Sequence, residues 1–150
     1  MARSIRTGSN YRCENTSGGT WTGTSSFDPA PCAASGGNVL VFKSDRTGDN
    51  ENERWAFGIE GNSIFKSTGI IPNGGAGNKS FITAEEIHIE GLKFYVSGTQ
   101  NGTFTPDDGL QPKVIISVSG YAFVVDTGAS NPRRVNFDLQ TTASQRKLDL

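Results

Sequence analysis

Two neighbouring stretches near the C-terminus carry the clearest pattern of hydrophobic and polar positions. From Gln111 to Asp126, the even positions between Val114 and Val124 are apolar or glycine, and the odd positions are mixed. From Arg134 to Ser144 the pattern alternates strictly. The apolar or small side chains of this second stretch share one face: Val135, Phe137, Leu139, Thr141 and Ala143. A period of two is typical of half-buried antiparallel strands, so we predict a long hairpin that turns between Asp126 and Pro132.

Shorter patterns predict further strands earlier in the chain. Val39 to Phe42 is apolar at every position, which is typical of a strand that is buried on both faces. Arg54 to Ile59 alternates, and Gly61-Asn62 marks a two-residue turn into a partner strand over Ser63 to Ser67. The pattern therefore predicts a β-hairpin over residues 54–67.

The apolar positions change phase at Gly91. Ile87 and Ile89 are odd-numbered, whereas Leu92 and the apolar positions after it are even-numbered. A shift of one residue would turn every side chain to the wrong face, so we predict a β-bulge or a break between two short strands at Gly91.

Helical periodicity is almost absent from the chain. Ala2 to Arg6 fits one helical turn that ends near Gly8, and the segment from 14 to 38 is rich in loop-forming residues. Ile70 to Lys79 is expected to be a flexible loop. We therefore predict a mainly β fold of packed antiparallel sheets in one domain over residues 1–150, with at most a short N-terminal helix.

Composition and charge narrow the function. The 150 residues carry 14 basic and 15 acidic side chains, so the net charge is −1. No general positive field attracts nucleic acid or an anionic membrane. No apolar run approaches the roughly 18 residues that a membrane span requires.

The two cysteines, Cys13 and Cys32, flank a segment rich in Gly, Ser, Thr and Pro. We predict a disulfide between them, because such a segment buries too little to hold itself and the composition is typical of exported proteins. Two unrelated buried thiols are the alternative.

We do not expect an enzyme. The single histidine, His88, is predicted to point to solvent, opposite Ile87 and Ile89, and no Ser/His/Asp or Cys/His arrangement is visible. No phosphate-binding glycine motif and no zinc spacing occurs. No cofactor is expected, apart from a candidate calcium ion.

An acidic loop is the candidate calcium site. Its carboxylates are Asp45, Asp49, Glu51 and Glu53, arranged around Gly48. Calcium takes six to eight oxygen ligands and tolerates irregular loops, but the spacing departs from that of the EF-hand. A solvated turn between two strands is the alternative.

A small basic set near the C-terminus is the candidate nucleic-acid site. It consists of Arg133, Arg134, Arg146 and Lys147. Four cations are a weak signal for nucleic-acid binding in a chain without a positive net charge, so nucleic acid is not an expected partner. A solvated strand face is the alternative interpretation of this basic set.

Several motifs, in this order, resemble those of type IV minor pilins and of the H-type pseudopilins of type II secretion systems. They are Cys13, Trp21-Thr22-Gly23, Val41-Phe42, Asp45, Gly48-Asp49, Glu51 or Glu53, the apolar pattern over Ile82–Gly120, Gln111-Pro112, and Phe137–Arg146. Within the last, Leu139-Gln140-Thr141-Thr142 resembles the terminal strand of such prepilin-like chains. The leader and long apolar helix of pilins have no counterpart here, so we expect the headgroup alone, with Met1 added and residues 1–8 as the end of that helix.

The resemblance implies a non-enzymatic structural subunit of a pilus or pseudopilus, placed near the filament tip. Its headgroup would present loops to other pilin or pseudopilin subunits, outside the inner membrane that anchors the native protein before assembly. The location would be extracellular or periplasmic. Without the helix, the isolated headgroup is expected to be monomeric and to make no membrane contact.

Two alternatives stay open. One is a secreted glycan-binding β-sandwich, for which exposed aromatic side chains such as Trp21 and Phe27 would be the binding groups. The other is a minor pilin that captures DNA through the C-terminal basic set.

Overall fold

A computed structural model describes residues 1–16, 20–24, 26, 28–44, 54–70, 75–98, 112–124 and 132–145. Within these ranges one short helix precedes eight strands, and the mainly β prediction is confirmed. The elements are α1 (Ala2–Arg6), β1 (Ser9–Glu14), β2 (Val39–Lys43), β3 (Arg54–Glu60), β4 (Ser63–Ile70), β5 (Asn78–Phe81), β6 (Ile87–Ser97), β7 (Lys113–Val124) and β8 (Arg133–Ser144).

The strands form two antiparallel sheets. One has five strands in the order β1-β2-β3-β4-β5, and the other has three in the order β6-β7-β8. Neighbours in each sheet also follow one another in the sequence, as is usual for antiparallel sheets in which short connections join adjacent strands. β6 contacts β1, β2, β3 and β4, so the three-stranded sheet packs on the five-stranded one mainly through this strand.

The main core lies between the two sheets. Alternate residues of the five-stranded sheet point into it, among them Leu40 and Phe42 of β2 and Phe57 of β3. Phe42 and Phe57 stack with ring centroids 5.9 Å apart. Phe94 and Val114 enter from the other sheet, and Ile5 enters from α1.

A second core lies on the opposite face of the five-stranded sheet. Val39 and Val41 belong to it, and Trp21 covers it by stacking on Phe65 with a centroid distance of 5.5 Å. This cover explains why β2 is apolar at every position, since both of its faces are buried. The prediction of a doubly buried strand is confirmed.

The predicted hairpin and bulge are both present. β3 and β4 pair through a two-residue turn, and Gly61 has φ +58°, the positive value that a type II′ turn requires at its first position. The turn docks on β6, because the amide of Ile89 donates to the carbonyl of Asn62 at 2.8 Å. The register of β6 against β7 shifts between Ile89 and Gly91, so the chain continues through a bulge rather than a break.

The C-terminal hairpin is present, but the prediction of a half-buried last strand is wrong. β7 and β8 pair over twelve positions, with β7 in the centre of its sheet and β8 at the edge. Ala143 is buried, whereas Val135 is 40% exposed and Leu139 is 62% exposed. The two sheets contact each other mainly through β6, and β8 lies two strands away from β6. The five-stranded sheet therefore does not cover most of β8.

Two strands were not predicted. β1 occupies a segment for which no strand was predicted, yet its Tyr11 is buried. β5 occupies part of the segment expected to be a flexible loop up to Lys79. Most of its side chains are exposed, so no apolar alternation marks it.

Tyr11 joins α1 to the core, and its phenol makes stability sensitive to alkaline pH. The hydroxyl lies 2.6 Å from the carbonyl oxygens of Ile5 and Gly8. Burial raises the pKa of Tyr11 from 10.0 to about 12. The unfolded chain therefore releases this proton first, and the folded state loses stability as pH rises from about 10 to about 12.

We expect the free energy of unfolding to fall over this interval by an amount on the order of 2 kcal/mol. Urea denaturation at closely spaced alkaline pH values measures it. Tyr11→Phe, which has no phenol, should remove this part of the pH dependence although it also loses a hydrogen bond at neutral pH. An unchanged alkaline slope in Tyr11→Phe would contradict the prediction.

Candidate functional site

The predicted disulfide is present and lies where the two sheets meet. Cys13 of β1 and Cys32 are bonded, with their Cα atoms 4.9 Å apart. Both side chains pack against the main core. The amide of Val96 on β6 donates to the Cys32 sulfur at 3.1 Å, so the bond also touches the three-stranded sheet.

The segment that contains Cys32 connects the edges of both sheets. Ala30 bonds β1, because its amide donates to the carbonyl of Tyr11 and its carbonyl accepts from Cys13, both at 3.1 Å. Further along, Gly37 and Phe94 of β6 exchange two hydrogen bonds of 2.9 and 2.7 Å. We call residues 30–37 the bridging segment. It bonds the β6 edge of the three-stranded sheet at Phe94 and Val96 and ties that edge to β1.

A polar groove of about 440 Å³ lies beside the disulfide. Its charged lining residues, Arg12 and Glu14, pair at 3.1 Å, and the other oxygen of Glu14 accepts a 3.0 Å hydrogen bond from the indole of Trp21. Asn and Thr side chains form much of the remaining wall. Such a groove offers hydrogen-bonding groups to a ligand, but its two charged side chains, Arg12 and Glu14, already form an ion pair with each other.

Trp21 is not the exposed aromatic that the glycan-binding hypothesis requires. It is 3% exposed, and its ring covers Phe65. The expectation of an exposed Trp21 is therefore wrong, because this loop folds back onto the outer face of the five-stranded sheet. Phe27 lies outside the described residues.

An aromatic cluster lies on the outer face of the three-stranded sheet. The rings of His88 and Tyr121 stack with a 4.9 Å centroid distance and a 9° angle between their planes. The guanidinium of Arg134 lies 3.8 Å from the centroid of Tyr121. Phe123 meets both rings edge-on and is 42% exposed. We call these four side chains the outer cluster.

Neighbouring polar groups hold Arg134 in the outer cluster. Its terminal nitrogen contacts Glu90 at 2.9 Å, and its Nε donates to Asn136 at 2.8 Å. The charge of Arg134 is thus matched by a carboxylate, and its flat face rests on an aromatic ring. A phosphate would have to compete with both contacts.

The predicted basic set is only partly brought together. Arg133 and Arg134 are adjacent on β8, so their side chains leave opposite faces of the strand. Arg146 and Lys147 lie outside the described residues. The calcium candidates Asp45, Asp49, Glu51 and Glu53 also lie outside them, and that site stays a prediction.

The described ranges contain neither a metal site nor a membrane-spanning helix. No group of three or more His, Cys, Asp or Glu side chains there is placed to hold a metal ion. Nor does any helix there reach the length and hydrophobicity of a membrane span.

The outer cluster was missed at the sequence level although its signals were present. The outward direction predicted for His88 agrees with its place on the outer face. Tyr121 and Phe123 share the odd face of β7, which the pattern shows as mixed. The pairing of His88 with Tyr121 depends on the bulge between Ile89 and Gly91, whose register the sequence does not specify.

We expect Arg134→Ala to lower the free energy of unfolding by about 1 kcal/mol, because it removes a cation–π contact and an exposed ion pair. Arg134→Lys should recover less than half of this loss, since an ammonium lacks the flat face that stacks on Tyr121. Urea denaturation measures both. Arg133→Ala is the control, with an expected change within about 0.5 kcal/mol; equal losses at the two arginines would contradict the stacking assignment.

The fold and the disulfide define a class, a disulfide-bonded, mainly β domain built of two packed antiparallel sheets. Comparisons with protein-family models, curated proteins and solved structures found no match to this chain. The functional interpretation therefore rests on the residues of the chain itself.

Proposed function

We propose that this chain is the headgroup of a non-enzymatic structural subunit of a type IV pilus or a type II secretion pseudopilus. It would lie near the filament tip and present loops to neighbouring subunits. The observation that carries the proposal is the order of prepilin-like motifs along the sequence, from the Cys13 region to the Phe137–Arg146 stretch.

The way in which α1 enters the fold supports the proposal. α1 leads directly into β1, and Ile5 is fully buried in the core that both sheets share. α1 also contacts β8, the strand that carries most of the terminal motif. In the proposed subunit, α1 is the end of the long helix, and the two sheets are the headgroup packed on it.

The disulfide supports an exported location. Disulfides form and persist in oxidising compartments such as the periplasm and the cell exterior. The Cys13–Cys32 bond is the covalent tie of the segment that connects the two sheet edges. In the proposed subunit this bond holds the displayed loops in place, outside the reducing environment of the cytoplasm.

The coding sequence that precedes Ala2 in the genome tests the proposal. We expect an in-frame leader followed by a long apolar helix with a glutamate near its start, and neighbouring genes for other filament or secretion components. An unrelated upstream region, in a genome segment without such genes, would count against a pilus subunit.

Neither alternative function gains support from the described surface. The glycan-binding hypothesis loses its main observation, since Trp21 is buried. Both faces of Tyr121 in the outer cluster are also occupied, by His88 and Arg134, so a sugar ring finds no free face there. The DNA-binding hypothesis names four cations, of which Arg134 is paired with Glu90 while Arg146 and Lys147 lie outside the described residues.

A further inference from the structure

β8 forms one edge of the three-stranded sheet. β8 is the last strand of its sheet, and in the described part of the chain no strand pairs with its far side. It pairs with β7 over twelve positions without a register shift, so no bulge interrupts the edge. A long regular edge exposes backbone N–H and C=O groups that can pair with another chain.

The backbone groups that point to this edge belong to even-numbered residues. At the end of β8, the amide of Gln145 donates to the carbonyl of Pro112, next to β7, at 2.9 Å. The bonding direction alternates along an antiparallel strand, so odd residues bond to β7 and even residues point away. The same alternation of bonding direction holds in β6, where the backbone N–H and C=O of Phe94 point away from β7 and bond Gly37. The residues that offer free-edge groups are Arg134, Asn136, Asp138, Gln140 and Thr142.

An apolar stripe runs beside this edge on the inner face of the sheet. It consists of Val135, Phe137 and Leu139, and we call it the β8 stripe. Two of its side chains are exposed, and Phe137 is half-buried. The main contact of β8 outside its own sheet is with α1, and Ala143 is its buried core residue. The stripe is thus an apolar surface next to unpaired backbone groups.

A second copy of the same strand matches the β8 stripe. If two copies of β8 pair antiparallel about a two-fold axis at Phe137, Val135 of each copy lies opposite Leu139 of the other. The two Phe137 side chains lie opposite each other. Cβ atoms of directly opposed residues are about 4.5–5.5 Å apart, so six apolar side chains form one cluster.

The polar face of the strand fits the same register. Asn136 lies opposite Asp138 of the second copy, and Arg134 lies opposite its Gln140. An amide can donate to the carboxylate, and the guanidinium can donate to the amide oxygen. No like charges are opposed.

Neighbouring registers fit less well. An axis at Asp138 would place two carboxylates directly opposite, which is destabilising. An axis at Asn136 would place Arg133 opposite Leu139, which would leave the most exposed apolar side chain of the stripe beside a cation. The axis at Phe137 therefore gives favourable pairs on both the apolar and the polar face of the strand.

We propose that the open edge of β8 is a self-association surface. It pairs with β8 of a second copy in the register centred on Phe137 and joins two three-stranded sheets into one six-stranded sheet. The two-fold arrangement uses the same residues on both copies, which closes the assembly at a dimer. This inference does not depend on the pilus proposal, because it uses only the edge and its side chains.

The dimer is expected to be weak. The paired segment is short, with about eight backbone hydrogen bonds and one apolar cluster. Interfaces below about 1,200 Å² are typical of transient complexes. The chain is then a monomer at low concentration and associates as its concentration rises.

Sedimentation velocity of the oxidised protein over about 10 µM to 1 mM tests the proposal. We expect the weight-average mass to rise from monomer toward dimer. Leu139→Lys should weaken the association at least tenfold, because it places a charge in the apolar cluster. Val124→Lys is the control, since Val124 is an exposed valine of β7 away from the β8 edge, and it should associate like the wild type.

A cross-linking experiment tests the register. Cβ atoms of opposed residues at a two-fold axis are close enough for a disulfide, so Phe137→Cys should give a covalent dimer under mild oxidation, and Val124→Cys should not. Intact mass under non-reducing conditions checks that Cys13–Cys32 is retained. A wild type that stays monomeric at 1 mM, a Leu139→Lys variant that associates like the wild type, or equal cross-linking of the two cysteine variants would overturn the proposal.

Discussion

Removing the disulfide through Cys13→Ser together with Cys32→Ser lowers the free energy of unfolding by about 3 kcal/mol. The bond closes a chain segment with a sequence separation of 19 residues, so the unfolded chain gains entropy when it is absent. The folded state also loses its covalent tie between β1 and the bridging segment. Urea denaturation of the oxidised wild type and the double variant measures the difference.

Chemical reduction provides the control for this prediction. The wild type treated with a thiol-free reductant should lose nearly as much stability as the double variant, whereas the double variant should not respond to the reductant. A double variant within about 0.5 kcal/mol of the oxidised wild type would contradict a stabilising role for the bond.

Phe94→Ala lowers the free energy of unfolding by about 3 to 5 kcal/mol. Its side chain is fully buried between the two sheets, where its removal leaves a cavity that the surrounding strands cannot fill. Its backbone bonds Gly37, so the surrounding chain is held in place and relaxes little. Urea denaturation with the disulfide intact measures the loss.

Phe123→Ala is the matched control for Phe94→Ala. Both changes remove the same side chain from neighbouring strands of one sheet, but Phe123 is on the outer face and 42% exposed. We expect a loss of about 1 kcal/mol or less, from its edge contacts with His88 and Tyr121. Similar losses for the two phenylalanines would mean that the inner and outer faces of this sheet are wrongly assigned.

The strands of strongest periodicity were predictable from the sequence. Hydrophobic alternation located β7 and β8, and the phase change at Gly91 located the bulge in β6, because both patterns are local consequences of backbone geometry. β5 has mostly exposed side chains and gave no such signal.

What covers a strand was not predictable in the same way. The alternation in β8 correctly identifies an apolar face. Whether Leu139 on that face is buried depends on whether the five-stranded sheet extends over β8. The five-stranded sheet contacts mainly β6, so Leu139 is left exposed. Trp21 shows the opposite error, because a loop residue expected at the surface covers Phe65. Both errors concern contacts between segments that are distant in sequence.

The three-stranded sheet is asymmetric in a way that matters for function. The bridging segment bonds its β6 edge at Phe94 and Val96, and the disulfide holds that segment to β1. In the described part of the chain no strand pairs with the far side of β8, and this edge carries the β8 stripe. Within the three-stranded sheet, pairing with a strand of another molecule is therefore expected at β8 rather than at β6.

Immunogold labelling of surface filaments on the source cells, with antibodies raised against residues 1–150, tests the proposed function most directly. The pilus proposal predicts gold particles on the filaments, concentrated near their tips, and loss of this label when the gene is deleted. Label confined to the cytoplasm, or filaments from the wild type that bind no more gold than those of the deletion strain, would contradict it.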